Sequence, residues 1–456
     1  MNSSATNYDI IVIGGGPVGT TAATLLSEKG YRVCLLEKTR HPRFHIGESL
    51  LPMNLPILKR LGVLDEVKKI GIIKHGAEFN ALDPVTEQWQ QVTFYFKKAF
   101  NQEYTHAYEV KRSEFDSILF KNCKNRGVQV LDNSQVTQVQ FIAPEQVAVH
   151  YKNTSNGNKD LHTLNARFVI DASGRDSLLS RRLKLKQKNP QHQSSAIFGH
   201  FSNVERRTGM DEGNISLYWF EHGWFWLIPL SDGSMSVGAV CWPEYLKTLQ
   251  GSTEEFLWQT IHMNSAVAAR MKNAKTLGEI RATGNFAYTS RRMWGRDFLL
   301  LGDAFAFVDP VFSSGVYLGM SAAEKAAETI DQCLKTPERA PQLCGLLEKR
   351  IRNGINEMCW FIYRFTSPVM QRLFMNPRND WQVESAVISM LAGDIFDNKE
   401  VKLRLKLFHL IYYTHAARML PETIKSWWRR RKNVQVIFDR GTMPEDNLSD
   451  IKESNQ

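Results

Sequence analysis

Tyr8-Asp9-Ile10-Ile11-Val12-Ile13-Gly14-Gly15-Gly16-Pro17-Val18-Gly19 is the stretch that decides the reading of this chain. Residues 8–13 form a short, nearly continuous apolar run, the pattern of a strand buried on both faces of a parallel sheet. A helical pattern follows over Thr20 to Lys29, with Ala22, Ala23, Leu25 and Leu26 at helical spacing and Gly30 as a stop. Tyr31-Arg32-Val33-Cys34-Leu35-Leu36 then reads as a second strand, ending at Glu37. Together these predict a βαβ unit. In it Gly14 permits the tight turn, Gly16 lets backbone approach a pyrophosphate, and Gly19 lets helix pack close on strand. The helix N-terminus offers free N–H groups to phosphate. Glu37 lies 23 residues after Gly14, about where an acid accepts hydrogen bonds from ribose hydroxyls. Gly14, Gly16, Pro17, Gly19, Glu37 and Lys38 are therefore the candidate dinucleotide-binding residues.

Farther along, Phe298-Leu299-Leu300-Leu301-Gly302-Asp303-Ala304 is a buried-strand pattern ending in Gly-Asp. It leads through Phe307-Val308-Asp309-Pro310 to Ser313-Ser314-Gly315 and a predicted helix from Val316 to about Leu334. This run resembles the second FAD fingerprint of the flavin monooxygenase superfamily. The resemblance implies that Asp303 holds the ribityl chain and that a helix N-terminus near Pro310, Gly315 and Val316 faces the flavin, where its positive end favours anionic reduced flavin. Val110-Lys111-Arg112-Ser113-Glu114-Phe115-Asp116 resembles the superfamily's arginine-bearing motif, and Phe168 to Arg175 its strand-to-Asp-Gly turn. No second GxGxxG fingerprint for a nicotinamide cofactor is present. Electrons are thus expected to arrive as free reduced FAD from a separate flavin reductase.

Trp224-Phe225-Trp226-Leu227-Ile228-Pro229 matches the WxWxIP pattern of flavin-dependent halogenases. In that family the two tryptophans and the proline line the flavin side of a tunnel, and bulky indoles fill a passage at little entropic cost. His45 to Pro52 resembles the family's GESLLP segment, which makes Ser49 a candidate flavin contact. Gly71 to Phe79 resembles the segment bearing the family's lysine, so the resemblance implies Lys74 as the catalytic residue. An ammonium there can hold hypohalous acid by a hydrogen bond, and a neutral amine can form a haloamine; both routes stay open. Halide needs a nest of N–H donors, for which Ser314 and Gly315 are the matching positions; the plain alternative is a helix cap. The tryptophan-acting branch carries a glutamate just before the serine matching Ser313. Here Phe312 stands there, as a substrate-pocket residue, so an electron-rich phenol or pyrrole, free or tethered to an acyl carrier protein, is expected. The rivals on the same fold are an aromatic hydroxylase and an oxidoreductase similar to geranylgeranyl reductases; WxWxIP and Lys74 argue against both.

The fold class implied is α/β. An FAD-binding Rossmann-like domain of glutathione-reductase type is expected over 1–80, 108–185 and 280–335, and a mixed β-sheet substrate domain over 81–107 and 186–279. A C-terminal helical region is expected over 336–440, and a polar, disordered tail over 441–456. With 456 residues, 43% hydrophobic and 23% charged, the chain can bury a sizeable core. No apolar run approaches a membrane span and the start lacks a signal-peptide pattern, so the default expectation is cytoplasmic. The six cysteines lack CxxC pairing, so neither a metal nor a disulfide framework is expected. The net charge of +10 does not by itself imply nucleic acid, and none is expected as a partner. The basic, aromatic stretch from Lys402 to Lys432 suits an acidic carrier protein, a membrane surface, or the enzyme's own body.

Overall fold

The computed structural model describes residues 7–155, 160–248 and 250–435, so the tail expected over 441–456 lies outside the described residues. The strand Asn7–Ile13 sits in the middle of a sheet whose neighbours run Trp294–Gly295, Phe298–Leu300, Leu161–Asp171, Asn7–Ile13, Val33–Leu36 and Gln129–Leu131. Every pairing along that path is parallel except that of Trp294–Gly295. Ile10, Ile11 and Val12 are fully buried, which is why the strand shows no alternation: both faces are covered. The helix after the glycine turn runs Pro17–Glu28, starting three residues earlier than the apolar spacing alone suggests. Proline is at home at the first helical position, where no N–H is needed. The second strand is shorter than expected, Val33–Leu36, because Tyr31 and Arg32 serve the turn into it.

A second, seven-stranded sheet has the order Lys275–Phe286, Ser194–Ser202, Met235–Cys241, Gly223–Pro229, Ile215–Phe220, Gly76–Leu82, Trp89–Tyr95. Gly76–Leu82 and Lys275–Phe286 run across the positions 80/81 and 279/280, so the sheet reaches a few residues beyond the segments 81–107 and 186–279 on both sides. In Gly223–Pro229 every residue is buried. Trp224, Trp226 and Ile228 point into the large core shared with the FAD-binding sheet, and Phe225 and Leu227 point into a separate cluster beneath the helices Thr253–His262 and Ser265–Arg270. Roughly 200 Å² per indole at about 25 cal/mol per Å² gives on the order of 5 kcal/mol for each tryptophan, an upper value because the unfolded chain is not fully extended.

The remaining chain is helical: Ala340–Ile362, Pro368–Met375, Val383–Leu391, Lys399–Arg418 and Leu420–Gln435. The last of these folds back on the second sheet. Lys432 pairs with Glu244 at 2.6 Å, Asn433 Oδ1 accepts from the Glu244 N–H at 3.2 Å, and Arg429 reaches His222 at 3.4 Å. One side of the basic stretch thus rests on the enzyme's own body, while Ile424, Trp427 and Trp428 stay exposed. No helix among the described residues is long and apolar enough to cross a membrane. All six cysteines are reduced and buried.

Candidate active site

The nucleotide end is built from the turn between the first strand and helix. Gly14 sits at φ +105°, and a Cβ there would lie 2.3 Å from the Ala172 carbonyl oxygen. A Cβ on Gly19 would lie 1.9 Å from the Gly14 carbonyl oxygen, so strand end and helix start meet only because both residues lack side chains. Above Gly16 the space is open, and the nearest atom to an added Cβ is Arg43 Nη2 at 3.8 Å. The Glu37 carboxylate is buried and accepts from the Gly15 N–H at 2.7 Å and from Thr39 N–H and hydroxyl at 3.0 and 2.7 Å. Lys38 pairs with Asp176 at 2.9 Å on the surface.

Arg112 opens the helix Arg112–Asn125 and grips Asp116 with two parallel bonds, Nε to Oδ1 at 2.7 Å and Nη2 to Oδ2 at 3.1 Å. Its third nitrogen donates to the Ile46 carbonyl at 2.8 Å and so ties down the loop that leads to Glu48 and Ser49. Burial alone would push Asp116 up, yet Arg112, His45 and Arg43 hold it below the usual carboxylate range. Asp303 follows the strand Phe298–Leu300. Burial lifts its pKa to about 6 against the pull of Arg175, Arg112 and Lys186. Lys186 lies 3.5 Å from the Tyr288 ring centroid, donates to Ser177 Oγ at 3.0 Å, and is pulled down to about 8 by burial.

Beyond Asp303 the chain turns through Asp309. That carboxylate is buried and accepts from Ser194 Oγ at 2.5 Å, His192 Nε2 at 3.1 Å and the Val311 N–H at 3.2 Å. Pro310–Phe312 forms a single 3₁₀ turn, Ser313 takes φ +55°, and the helix Gly315–Lys335 begins. Ser314 occupies the cap position without a capping hydrogen bond from its side chain; its Oγ is buried with no partner. Nothing lies within 4 Å of a Cβ built on Gly315, beside which Val316 forms the helix's first turn.

Lys74 ends the three-residue strand Ile72–Lys74, which pairs antiparallel with Ala107–Glu109. Its side chain is 1% exposed. The Nζ donates to Ser49 Oγ at 2.7 Å and to the Leu50 carbonyl at 3.1 Å, stands 3.8 Å from Glu109 Oε1, and lies 5.6 Å from the Phe96 ring centroid. Burial lowers the lysine's pKa, with Glu109 opposing, and burial raises that of Glu109 to about 7, with Lys74 and Ser49 opposing.

Trp219, Trp224, Trp226, Phe312 and Phe365 form a buried aromatic cluster. Trp224 and Trp226 lie 6.0 Å apart, and Trp226 Nε1 donates to Ser236 Oγ at 3.2 Å. Trp224 meets Phe365 edge-on at 6.1 Å, Phe312 meets Phe365 at 5.5 Å, and Trp219 stacks on Phe365 at 4.7 Å. Pro229 closes the tryptophan strand, paired with Met235. The structure therefore draws Trp224, Trp226 and Phe312 into one core, and seals Lys74 from bulk water beside Ser49. Residues that the sequence reading missed are Glu109, Arg43, Lys186, Phe365 and the Ser194–Asp309–His192 cluster. For Glu109 a signal existed: an acid set inside the otherwise apolar run Ala107-Tyr108-Glu109-Val110.

Comparison with known proteins fits this geometry. The family model described as FAD binding domain matches residues 7–340. A 1H-pyrrole-2-carbonyl-[peptidyl-carrier protein] chlorinase of Pseudomonas fluorescens is 29% identical over 424 residues, covering 89% of this chain and 93% of that protein. A flavin-dependent halogenase of Armillaria mellea is 30% identical, covering 78% of this chain and 73% of its own length. The solved structure of the myxobacterial chondrochloren halogenase superposes with a TM-score of 0.74 at 31% identity, over 88% of this chain and 96% of that one. With an FAD binding domain matched over residues 7–340, a 30% identical halogenase covered over 73% of its length and a solved halogenase superposing over 88% of the chain, this chain belongs to the flavin-dependent halogenases.

Proposed function

We propose that this enzyme halogenates an electron-rich aromatic, a phenol or pyrrole, by passing hypohalous acid from the FAD to Lys74 through a corridor walled by Trp224 and Trp226. The observation that carries the reading is the complete burial of Lys74, with its ammonium turned onto Ser49 and Glu109 instead of water. A buried lysine is costly, and in an enzyme its burial points to chemistry.

The residues fit FAD. The open face of Gly16, flanked by Arg43, suits the diphosphate, while Glu37 suits the adenosine ribose with Lys38 beside it. Asp303 suits the ribityl chain, and Ser49, Arg112 with its loop, Pro310 and the start of the helix at Gly315 and Val316 suit the flavin end. When bound and reduced, the cofactor supplies the two electrons that let dioxygen oxidise halide. The chain's own residues do the rest. Ser314 Oγ, an unpartnered donor in a buried place, and the Gly315 N–H suit a halide ion. Trp224 and Trp226 exclude the organic substrate from the flavin side. Lys74 holds the oxidant by a hydrogen bond and turns its halogen toward an aromatic carbon, whose hydrogen leaves as a proton while the oxidant's oxygen departs as water. With Phe312 in the pocket there is no carboxylate at that position to steady a poorly activated ring, so the ring's own oxygen or nitrogen does so.

Reduced FAD comes from a separate flavin reductase. The carrier-bound substrate of the similar pyrrole chlorinase favours a tethered substrate here. Leu403, Lys406, Leu410 and Tyr413 recur at helical spacing on one outward face of Lys399–Arg418, next to exposed Ile424, Trp427 and Trp428, an apolar and basic face that suits an acidic carrier protein. The test is turnover with flavin reductase, NADH, dioxygen, bromide and a phenol. A halogenated product that Lys74→Met abolishes, while free hypohalous acid is still trapped, supports the reading. Aromatic hydroxylation without halogen overturns it.

A further inference from the structure

Beside Lys74 lies a second ionisable group for which the reaction above has no use. Glu109 is fully buried, and its position is set by backbone on both sides. Its strand pairs with that of Lys74, and Ser49 bridges directly to Glu109. Leu50 N–H donates to the Tyr108 carbonyl at 3.0 Å and Val110 N–H to the Glu48 carbonyl at 2.8 Å, which stitches the segment 48–50 to the segment 108–110. The side chains then form a relay of hydrogen bonds: Lys74 Nζ donates to Ser49 Oγ at 2.7 Å, and Ser49 Oγ donates to Glu109 Oε1 at 3.1 Å. Glu109 Oε2 has no partner. An arrangement that leaves a carboxylate oxygen dry and unsatisfied does not repay its desolvation as a stability device, since a well-packed apolar pair in the same place is neutral or better.

Resting on the reading of Lys74 as the halogen-delivering residue, we propose that Glu109 is its positioning residue: through the Ser49 hydroxyl, the carboxylate keeps the buried lysine protonated and aimed. The consequence is chemical. An ammonium holds hypohalous acid by a hydrogen bond, whereas an unprotonated amine would displace hydroxide from it, forming an N–halogen bond and releasing water. Glu109 therefore decides between the two routes in favour of the hydrogen bond. The groups that face the pair are few. The charges acting on Glu109 are Lys74 and Glu48, and only Glu109 opposes the effect of burial on Lys74. Glu48 itself is buried and bonded to His200 Nε2 at 2.8 Å, with the His200 ring partly exposed. Phe96 supplies an apolar wall.

The experiment is a pH titration of Lys74 by NMR of the full, FAD-bound chain with carbon-13 at lysine Cε, the Lys74 signal being identified by its loss in Lys74→Met. An opposite charge at this range moves a pKa by about 1–3 units. In Glu109→Gln the midpoint is expected to fall by at least about one unit. The alkaline limb of aryl halogenation is expected to move down with it, and Lys74 to gain halogen in its peptide mass. In Ser49→Ala, which keeps the carboxylate but removes the link, the fall is expected to be smaller. If Glu109→Gln does not retain FAD, Glu109→Met carries the same test, since it too removes the negative charge. Coincident titrations in the wild type and the Glu109 variant, with Lys74→Met inactive toward the ring, overturn the role of Glu109 and leave that of Lys74 standing. Normal ring halogenation by Lys74→Met overturns the reading of Lys74 itself.

Discussion

Gly238→Ala perturbs the packing of Trp226 without touching any residue proposed to meet halide or substrate. Gly238 pairs with Trp226 across the strands Met235–Cys241 and Gly223–Pro229. A Cβ there would lie 2.3 Å from Trp226 Cζ2, 2.4 Å from Cη2 and 2.7 Å from Phe198 Cβ. Carbon atoms rest at about 3.5–4.0 Å, so the indole must retreat by roughly 1.2 Å or more. The φ of Gly238 is not in the left-handed region, so alanine brings no backbone strain, only crowding. Overpacking of a filled core costs about 1–3 kcal/mol, and loss of the Trp226 Nε1 bond to Ser236 adds about 1 kcal/mol. The expected destabilisation is therefore roughly 2–4 kcal/mol, read by urea unfolding of the FAD-bound enzyme through tryptophan emission. If Trp226 also shields the flavin side, halogenated product per NADH should drop several-fold and hydrogen peroxide should rise by the same count. A destabilised variant with unaltered yield refutes the shielding role. A variant as stable as the wild type refutes the packing argument.

Gly19→Ala, whose Cβ would collide with the Gly14 carbonyl at 1.9 Å, should purify without FAD, whereas Gly345→Ala, with open space around it inside Ala340–Ile362, should keep FAD and gain up to about 1 kcal/mol; flavin absorbance after gel filtration decides both. In Lys74→Met the Glu109 carboxyl loses its cation, so its folded pKa rises beyond about 7 while the unfolded value stays ordinary. The native state then binds more protons, and stability should fall as pH climbs from about 4.5 through 7, by roughly 3 kcal/mol at 1.36 kcal/mol per unit. The double variant Lys74→Met/Glu109→Gln should lack that slope in urea titrations. Lys406→Glu with Arg431→Glu should raise the KM for a carrier-tethered substrate in a salt-dependent way while a free phenol is halogenated at the usual rate; equal effects on both substrates would remove the docking face. Arg429 and the half-buried Arg430 pack on the body of the enzyme, so their reversal would disturb the fold itself.

What could be read from the sequence was local. The glycine turn, the buried strand before it and the tryptophan strand announce themselves because each needs particular residue types within a dozen positions: no Cβ at 14 and 19, apolar side chains on both faces of 10–12, indoles at alternate positions 224 and 226. What escaped was set by pairings between distant, short segments. Glu109 meets Lys74 because two strands of three residues, 35 positions apart, lie side by side, and three residues carry no periodicity to detect. Gly76–Leu82 enters the second sheet through a parallel pairing with Ile215–Phe220, and no pattern within either strand names its partner. Arg43 reaches Gly16 from an irregular loop.

The same distinction bears on how the enzyme confines a diffusible oxidant. Trp224 and Trp226 project into the core shared with the FAD-binding sheet, and the alternating residues Phe225 and Leu227 anchor the same strand in a second core beneath Thr253–His262. A strand held from both faces cannot slide or rotate without emptying one core, and each emptied large side chain costs about 3–5 kcal/mol. The wall is thus rigid because its outer face is as apolar as its inner one. Lys74 is fixed by different means, a short strand pinned by Glu109 and Ser49. Packing thus fixes the tryptophan strand and hydrogen bonds fix Lys74, so on the proposed reading the region around Phe312 could vary with the aromatic substrate without disturbing either.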